Sequence, residues 1–574
     1  MAVDMEMLHA QLYRITEKLG LSPPPRLQSI KTSDLPAPIS GESSDSSHRG
    51  THATSDIGPS CDNSPVLLPE DDTGLPHVPI HSLYRLTKLR ALRSPQADPG
   101  RPDDRAGGGA GISNGSITGH TDSSNDAVDD LVSRGQLALD DAERLFRMYM
   151  DHLDHFMYGI GGAYATLDAL RRGSRLLAVS IFTVAALHMT DTGESPTSAP
   201  PGLYGTCMGE LRHLMAATLF QRRMDHDDVR AMCIASYWLS DVSWNLSGYA
   251  IRRAAGLNLA GQHVRAVQTG APDAVDAVRL WYVLYICDQH LSTLYGRHAM
   301  IRYDDDAALS GWEAFRQAES ATDEDQRLAS QVALLNIMQR MRAVDDTPAT
   351  VLAVHTTGFG RQLDRWLAHW SVVVPARHNH IGGFPRNGVL LHYHFATLHL
   401  HAQVFQGADA KAVAATTIAG PVRDSAVAAV TAATAIVEML ITNPEMRPAL
   451  VGMPSYMHAM TGYACMFLAR LATQPHLDDV VQTSVVVGLV KRLIALYRSA
   501  PVGRWHLVKL MGDGLDKIIA KLQDTADNSN VTAETLGNAG IDFTKMDLAG
   551  FDAALESDAL FYSFDDDANI SGLF

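Results

Sequence analysis

Cysteine is scarce in this chain. Its 574 residues include five (Cys61, Cys207, Cys233, Cys287 and Cys465), and no two form a C-x-x-C pair. Neither a disulfide framework nor a local cysteine-rich zinc site can be built from them, and reduced thiols are expected. Basic charge is short as well: 47 Lys and Arg face 64 Asp and Glu, a formal net charge of -17. That balance is the opposite of the electrostatic footprint of a chain that holds nucleic acid by its own surface. Asp4 and Glu6 stand where a secretory leader would carry basic and then apolar residues, so no such leader is expected. The longest apolar run, Leu176 to Leu187, is interrupted by Ser180 and Thr183. It is too short to span a bilayer, and no membrane partner is expected. Also missing are a phosphate-cradling glycine loop, a Gly-x-Ser-x-Gly elbow and a His-Glu-x-x-His pair, the usual local signatures of enzyme chemistry.

What is present begins with a short seam. Met5, Leu8, Leu12, Ile15 and Leu19 alternate three and four residues apart, the a/d spacing of a coiled coil, so residues 1–22 are expected to form an amphipathic helix able to pair with a second copy or dock on the body. Residues 23–130 are rich in Ser, Pro, Gly and Asp and read as a linker that cannot bury enough surface to order itself. One island within it, residues 79–94, mixes Leu83, Leu86, Leu89 and Leu92 with Arg85, Lys88, Arg90 and Arg93, the pattern of a short basic amphipathic helix. From Leu131 to Leu522 the apolar residues recur at helical spacing, and alternating strand segments are missing. The opening pattern places Leu145, Met148, His152 and Phe156 on one helical face. Further helices are expected over Ser174–His188, Cys207–Gln221, Asp227–Asn245, Ala329–Asp345, Gly358–Val374, Gly388–Phe405, Val422–Ile441, Ser455–Ala472 and Val480–Leu522. The fold class is all-α.

The body is organised around one helix. Pro272 suits its first turn, Asp273 the positive end of its dipole and Gly296 a left-handed stop, giving about seven turns. Leu280 to Ile286 are apolar or aromatic around the whole circumference, so the helix is expected to be buried on all sides. Asp288 then needs a partner, and Arg252, Arg253 or Arg297 are the expected ones. Asp304, Asp305 and Asp306 follow; three consecutive carboxylates fan around the axis and read as a solvated loop rather than a paired metal-diphosphate site. His392, His394, His399 and His401, with His378 and His380 before them, recur at two and seven rather than at i and i+4 and have no carboxylate among them. They read as histidines packed with their ring nitrogens hydrogen-bonded, not as a metal site.

Ala250-Ile251-Arg252, Ala254, Leu257 and Leu259, followed by Arg279, Trp281, Asp288, Ser292, Gly296 and Arg297, resemble the central signature of the middle homology regulatory domain of fungal zinc-cluster transcription factors. Departures are Asn258 where the family's Gly is usual, Ala260 for a His, Tyr282 for a second Trp and His298 for a Pro. The residues expected to form the structural core signature are Arg252, Leu257, Trp281, Asp288, Gly296 and Arg297. The resemblance implies a nuclear regulator of metabolic, secondary-metabolite or nutrient-response genes, most simply an activator. It also implies a homodimer, or a heterodimer with related factors, and a small metabolite as effector. The six-cysteine cluster that reads DNA in this family does not occur within the 574 residues. Zinc and promoter DNA are therefore expected only through a cluster outside this sequence or one carried by a partner, and no other cofactor is expected. The rival readings are an all-α enzyme and a regulator that pairs with intact relatives without touching DNA. Residues 523–574 end in an acidic-hydrophobic mixture in which Phe551, Leu560, Phe561 and Phe564 lie among Asp552, Glu556, Asp558 and Asp565 to Asp567, the compositional mark of an activation segment that engages a coactivator.

Overall fold

The computed structural model describes residues 129–535, apart from 163, 190–201, 219–220, 222–224, 343–348, 404–420, 474–476 and 478. The pairing seam at Met5 to Leu19, the linker with its basic island and the aromatic tail residues Phe551, Leu560, Phe561 and Phe564 lie outside the described residues. The all-α expectation is met: among the described residues there are eighteen α-helices and no strand, only one isolated bridge between His378 and Gly382.

Helix α1 (Leu139–Met148) carries Asp140 and Asp141 in its first turn. The expected face does not continue through it, because the chain changes register. Tyr149–Leu153 widens into a π turn and Asp154–Met157 tightens into a 3-10 turn that ends in left-handed Tyr158 at φ 63°. Phe156 is therefore buried while His152 is exposed. Single π turns of this kind often mark sites that re-aim a side chain. Here Asp154 turns inward and accepts the Gly161 amide at 2.7 Å.

Helices α2 (Leu167–Gly173) and α3 (Arg175–His188) are capped by Thr166 and Ser174, whose hydroxyls accept from backbone amides of the first turn. α3 is buried from Leu176 to His188 and packs on α1, α2, α4 (Leu203–Thr218) and α5 (His226–Trp238). The run expected as one helix from Asp227 to Asn245 is two, because the chain leaves helical geometry at Leu239 before α6 (Ser243–Gly256). A reciprocal box between Asp225 and Asp228 closes the start of α5.

After the short α7 (His263–Thr269) comes the organising helix, α8 (Pro272–Tyr295), 24 residues with Pro in its first turn and Gly296 at φ 59°. It is buried continuously from Leu280 to Tyr295. Five helices surround it: α5, α6, α7, α11 (Asp323–Arg342) and α16 (Ser455–Leu471). Between α8 and α11 lie α9 (Ala307–Ser310) and α10 (Trp312–Gln317).

The remaining body is α12 (Ala349–Val373), α13 (Phe384–Ala402), α14 (Pro421–Thr442), α15 (Met446–Gly452), α17 (Thr483–Ser499) and α18 (Leu507–Thr535), with α13 packed on α12 and α14, and α18 on α16 and α17. The expected run from Val480 to Leu522 is broken beside Pro501, which cannot donate to a continuing helix. α18 runs on beyond Leu522, where the body was expected to end. α14 is long and apolar enough to cross a membrane, but half of that stretch is buried within the body.

Candidate functional site

Around α8 the signature residues act as clamps. Arg279 grips Asp325 with two hydrogen bonds, 2.7 Å from Nε and 2.6 Å from Nη2. Asp325 is wholly buried. The Trp281 indole donates to Asp306 at 2.9 Å, and the other oxygen of Asp306 caps α9 through the amides of Ala308 and Leu309. Only Asp304 and Asp305 of the acidic triplet are exposed, so the solvated-loop expectation is corrected for Asp306. The expected arginine partners of Asp288 are corrected too. Its carboxylate accepts the Ile301 amide at 2.8 Å, with the Met300 amide beside it and Arg342 the cation nearby. Burial pushes its pKa up to about 6, and those amides and Arg342 oppose the shift. Arg252 is exposed, Arg253 bonds the Tyr249 hydroxyl, and Arg297 lies over the Trp244 ring at 5.4 Å. Leu257 is half-buried against the core. Asn258 stands where the family's Gly is usual, and its backbone is left-handed at φ 54°. Asn is the residue that tolerates this conformation best after Gly. These positions hold the helix; they do not converge on a reacting centre.

The histidines on α13 divide. His392 is buried, with Nδ1 bonded to the Gly388 carbonyl at 2.7 Å and Nε2 3.5 Å from the Tyr456 hydroxyl, as expected of a packed histidine. His399 is buried, and its two ring nitrogens have no hydrogen-bond partner among the described residues, against expectation. Tyr456 also stacks on His290 of α8, rings 4.2 Å apart and 10° from parallel. His290 lies 5.2 Å from His392 and beside Gln331. Gln331, His392 and Tyr456, with Ser330, Arg327 and apolar neighbours such as Phe156 and Val389, line a small cavity of about 20 Å³, room for about one water. Burial holds the His392 and His399 imidazoles down to about 4, His458 down to about 3, and His290 well below the usual histidine range. His290, Gln331 and His458 were not singled out from sequence, because a lone polar residue in an apolar helix gives no local signal.

At the edge of this polar interior a second cluster forms from three distant stretches. His155 comes from the irregular turn after α1, Glu324 from the first turn of α11, and His378 and His380 from the loop before α13. His378 Nε2 lies 3.0 Å from Glu324 Oε1, and the other Glu324 oxygen is held by Arg327. Arg327 also donates to the His155 carbonyl at 2.9 Å and covers the Tyr158 ring at 5.0 Å. His380 stacks on His155 at 3.9 Å, 14° from parallel. Burial first, and then the neighbouring imidazoles and Arg327, hold His155 at about 4. Burial likewise lowers His378, against the pull of Glu324. Sequence reasoning grouped His378 and His380 with the α13 run; the structure joins them to His155 and Glu324 instead.

An apolar cleft of about 280 Å³ opens elsewhere, between α4 and α6, lined by Met208, Leu211, Met215, Val242, Leu246 and Tyr249. It is the roomier of the two cavities, with Arg212 on its lining.

Comparison with known proteins places this architecture. A family model described as the middle domain of the transcriptional activator of proteases prtT matches residues 135–522. The transcriptional activator of proteases prtT of Emericella nidulans is 30% identical over 484 residues, covering 81% of this chain and 67% of that protein. No solved structure matches. The matched span begins before α1 and ends within α18, so it takes in the α8 clamps and both polar clusters. The chain therefore belongs to the PrtT-like middle-domain family of fungal transcriptional activators.

Proposed function

We propose that the protein works in the nucleus as an activator of protease genes, with the helical body as its regulatory module. The observation that carries this reading is the similarity to the prtT activator over four fifths of the chain, together with the family match across residues 135–522. Because that family is one of activators, regulation is favoured over turnover, in keeping with α8 residues that clamp the core rather than face a substrate. Promoter contact would come from a zinc cluster outside residues 1–574 or from a partner's, since this sequence is acidic and has no C-x-x-C pair. Pairing would use the seam at Met5, Leu8, Leu12, Ile15 and Leu19, and the tail around Phe551, Leu560, Phe561 and Phe564 would engage a coactivator. A small effector would be apolar and would enter the cleft between α4 and α6, because the small cavity beside His392 has room for only about one water.

The test is deletion of the gene in its own fungus, with secreted protease activity and protease transcripts measured before and after restoring it. Loss on deletion and recovery on restoration are expected, together with a nuclear fluorescent fusion. Unchanged protease transcripts under inducing conditions would refute the protease target. A fusion that complements while excluded from nuclei would refute the site of action.

A further inference from the structure

We propose that His155, Glu324 and His378 form a binding site for one divalent transition-metal ion, zinc by the chemistry of its ligands. Two imidazoles and one carboxylate offer their ligand atoms within 4.8 Å of one another. That donor set suits zinc or its neighbours in the first transition row, whereas calcium and magnesium favour oxygen throughout.

The carboxylate is oriented for the task. Arg327 occupies one Glu324 oxygen, so Oε1 is left buried, with no hydrogen bond of good geometry among the described residues, 3.0 Å from His378 Nε2. Two ligands about 2.0–2.1 Å from a shared tetrahedral ion stand roughly 3.3 Å apart, so this edge of the site is nearly formed. With ligand atoms up to 4.8 Å apart, His155 needs to close by up to about 1.5 Å, which a histidine on a 3-10 turn can do by rotating its ring. Arg327 is the kind of hydrogen-bonding neighbour that fixes a ligating carboxylate, and it reaches the His155 carbonyl as well.

His380 plays a different part. Its ring lies flat on His155, so its lone pairs run parallel to those of His155 instead of meeting them. Its amide donates to His378 Nδ1 at 3.2 Å. An ion at His378 Nε2 sends the ring's proton to Nδ1, and this contact must then open. Occupancy of the site is thereby linked to the conformation of the loop from 375 to 383, which the bond from the His378 amide to the Gly382 carbonyl closes.

The experiment uses the 574-residue protein after dialysis against a chelator. Zinc chloride is titrated in competition with a chromophoric chelator, and cobalt(II) chloride is added separately. One zinc per chain and the intense visible absorption of four-coordinate cobalt are expected. Glu324→Gln and His378→Gln should each weaken zinc binding by about tenfold or more. The exposed His152→Ala should leave it within about threefold. Circular dichroism and Tm establish that each variant is folded. Should a ligand variant unfold, the wild-type cobalt spectrum decides alone: weak, octahedral absorption would overturn the proposal. Equal zinc affinity in wild type and a folded Glu324→Gln variant would overturn it too.

Discussion

Lowering the pH from 6.5 to 5 should destabilise this protein, although two buried carboxyls pull the other way. In His392, His399 and His458 burial depresses the folded-state pKa to about 4, about 4 and about 3, against 6.5 for a free imidazole. Below pH 6.5 the unfolded chain takes up protons at these residues and the folded chain does not, so stability falls as pH falls. Over that interval each contributes about 1.6 kcal/mol of loss, because the unfolded imidazole is already half protonated at pH 6.5. Asp154 and Asp288 are raised by burial to about 7 and about 6. For them the folded state binds the proton first, and stability rises as pH falls, by about 3 kcal/mol together. Over these five groups the net is a loss of roughly 2 kcal/mol, to be read as a fall in urea midpoint at constant slope between pH 6.5 and 5. His458→Phe isolates the imidazole part: among the described residues both buried ring nitrogens of His458 have no hydrogen-bond partner, and phenylalanine keeps a ring of similar size. The variant should hold its stability at pH 7 and lose about 1.6 kcal/mol of the acid sensitivity. A wild type that gains stability on acidification, or a folded His458→Phe with an undiminished pH response, would refute the reasoning.

Asp325→Asn should cost about 3 kcal/mol in urea denaturation, because it leaves the Arg279 guanidinium without its doubly bonded partner; an unchanged midpoint would show that the pair contributes nothing. Asp288→Asn should enlarge the loss of stability between pH 7.5 and 5 by about 1–2 kcal/mol, since asparagine still accepts from Ile301 but no longer takes up the proton that offsets the imidazoles; a loss equal to wild type would count against the raised carboxyl. Trp281→Ala should cost about 3–5 kcal/mol through the cavity left beside α8 and the loss of its bond to Asp306, measured as a lower denaturation midpoint. Residues 538–574 fused to an unrelated DNA-binding domain should activate a reporter, and Phe561→Ala with Phe564→Ala should reduce that activity; a stable nuclear fusion that stays silent would refute the tail's role.

Local chemistry was legible in the sequence wherever one residue decides the backbone. Pro272 and Gly296 bracket α8 because neither a missing amide nor a left-handed stop depends on distant neighbours. Continuous apolar character between Leu280 and Ile286 translated directly into burial by five surrounding helices. Asn258 is a departure from the family pattern that the backbone explains: at φ 54° it does what the expected glycine would do. The break in the helix after Met148 was not legible, since Tyr149 to Met157 keep helical composition while tertiary packing pulls them into wider and then tighter turns.

Partnerships between distant residues were the harder part, and Asp288 shows why. Charge complementarity pointed to Arg252, Arg253 or Arg297, yet a carboxylate at this depth is served better by the amides of a loop that folds back than by a long cation that must itself be desolvated. Backbone amides carry no sequence signature, so no inspection of side chains could have named Ile301. The same limit applies at His155, Glu324 and His378. Spacing rules detect metal ligands on one helix, whereas this cluster is assembled by a distorted turn, a helix start and a loop that meet only in the folded chain. The register change after α1 is therefore what creates the site: had the helix run on without interruption, successive residues would have kept turning by a constant angle. His155 and Phe156 would then not have been redirected, one toward Glu324 and the other into the core.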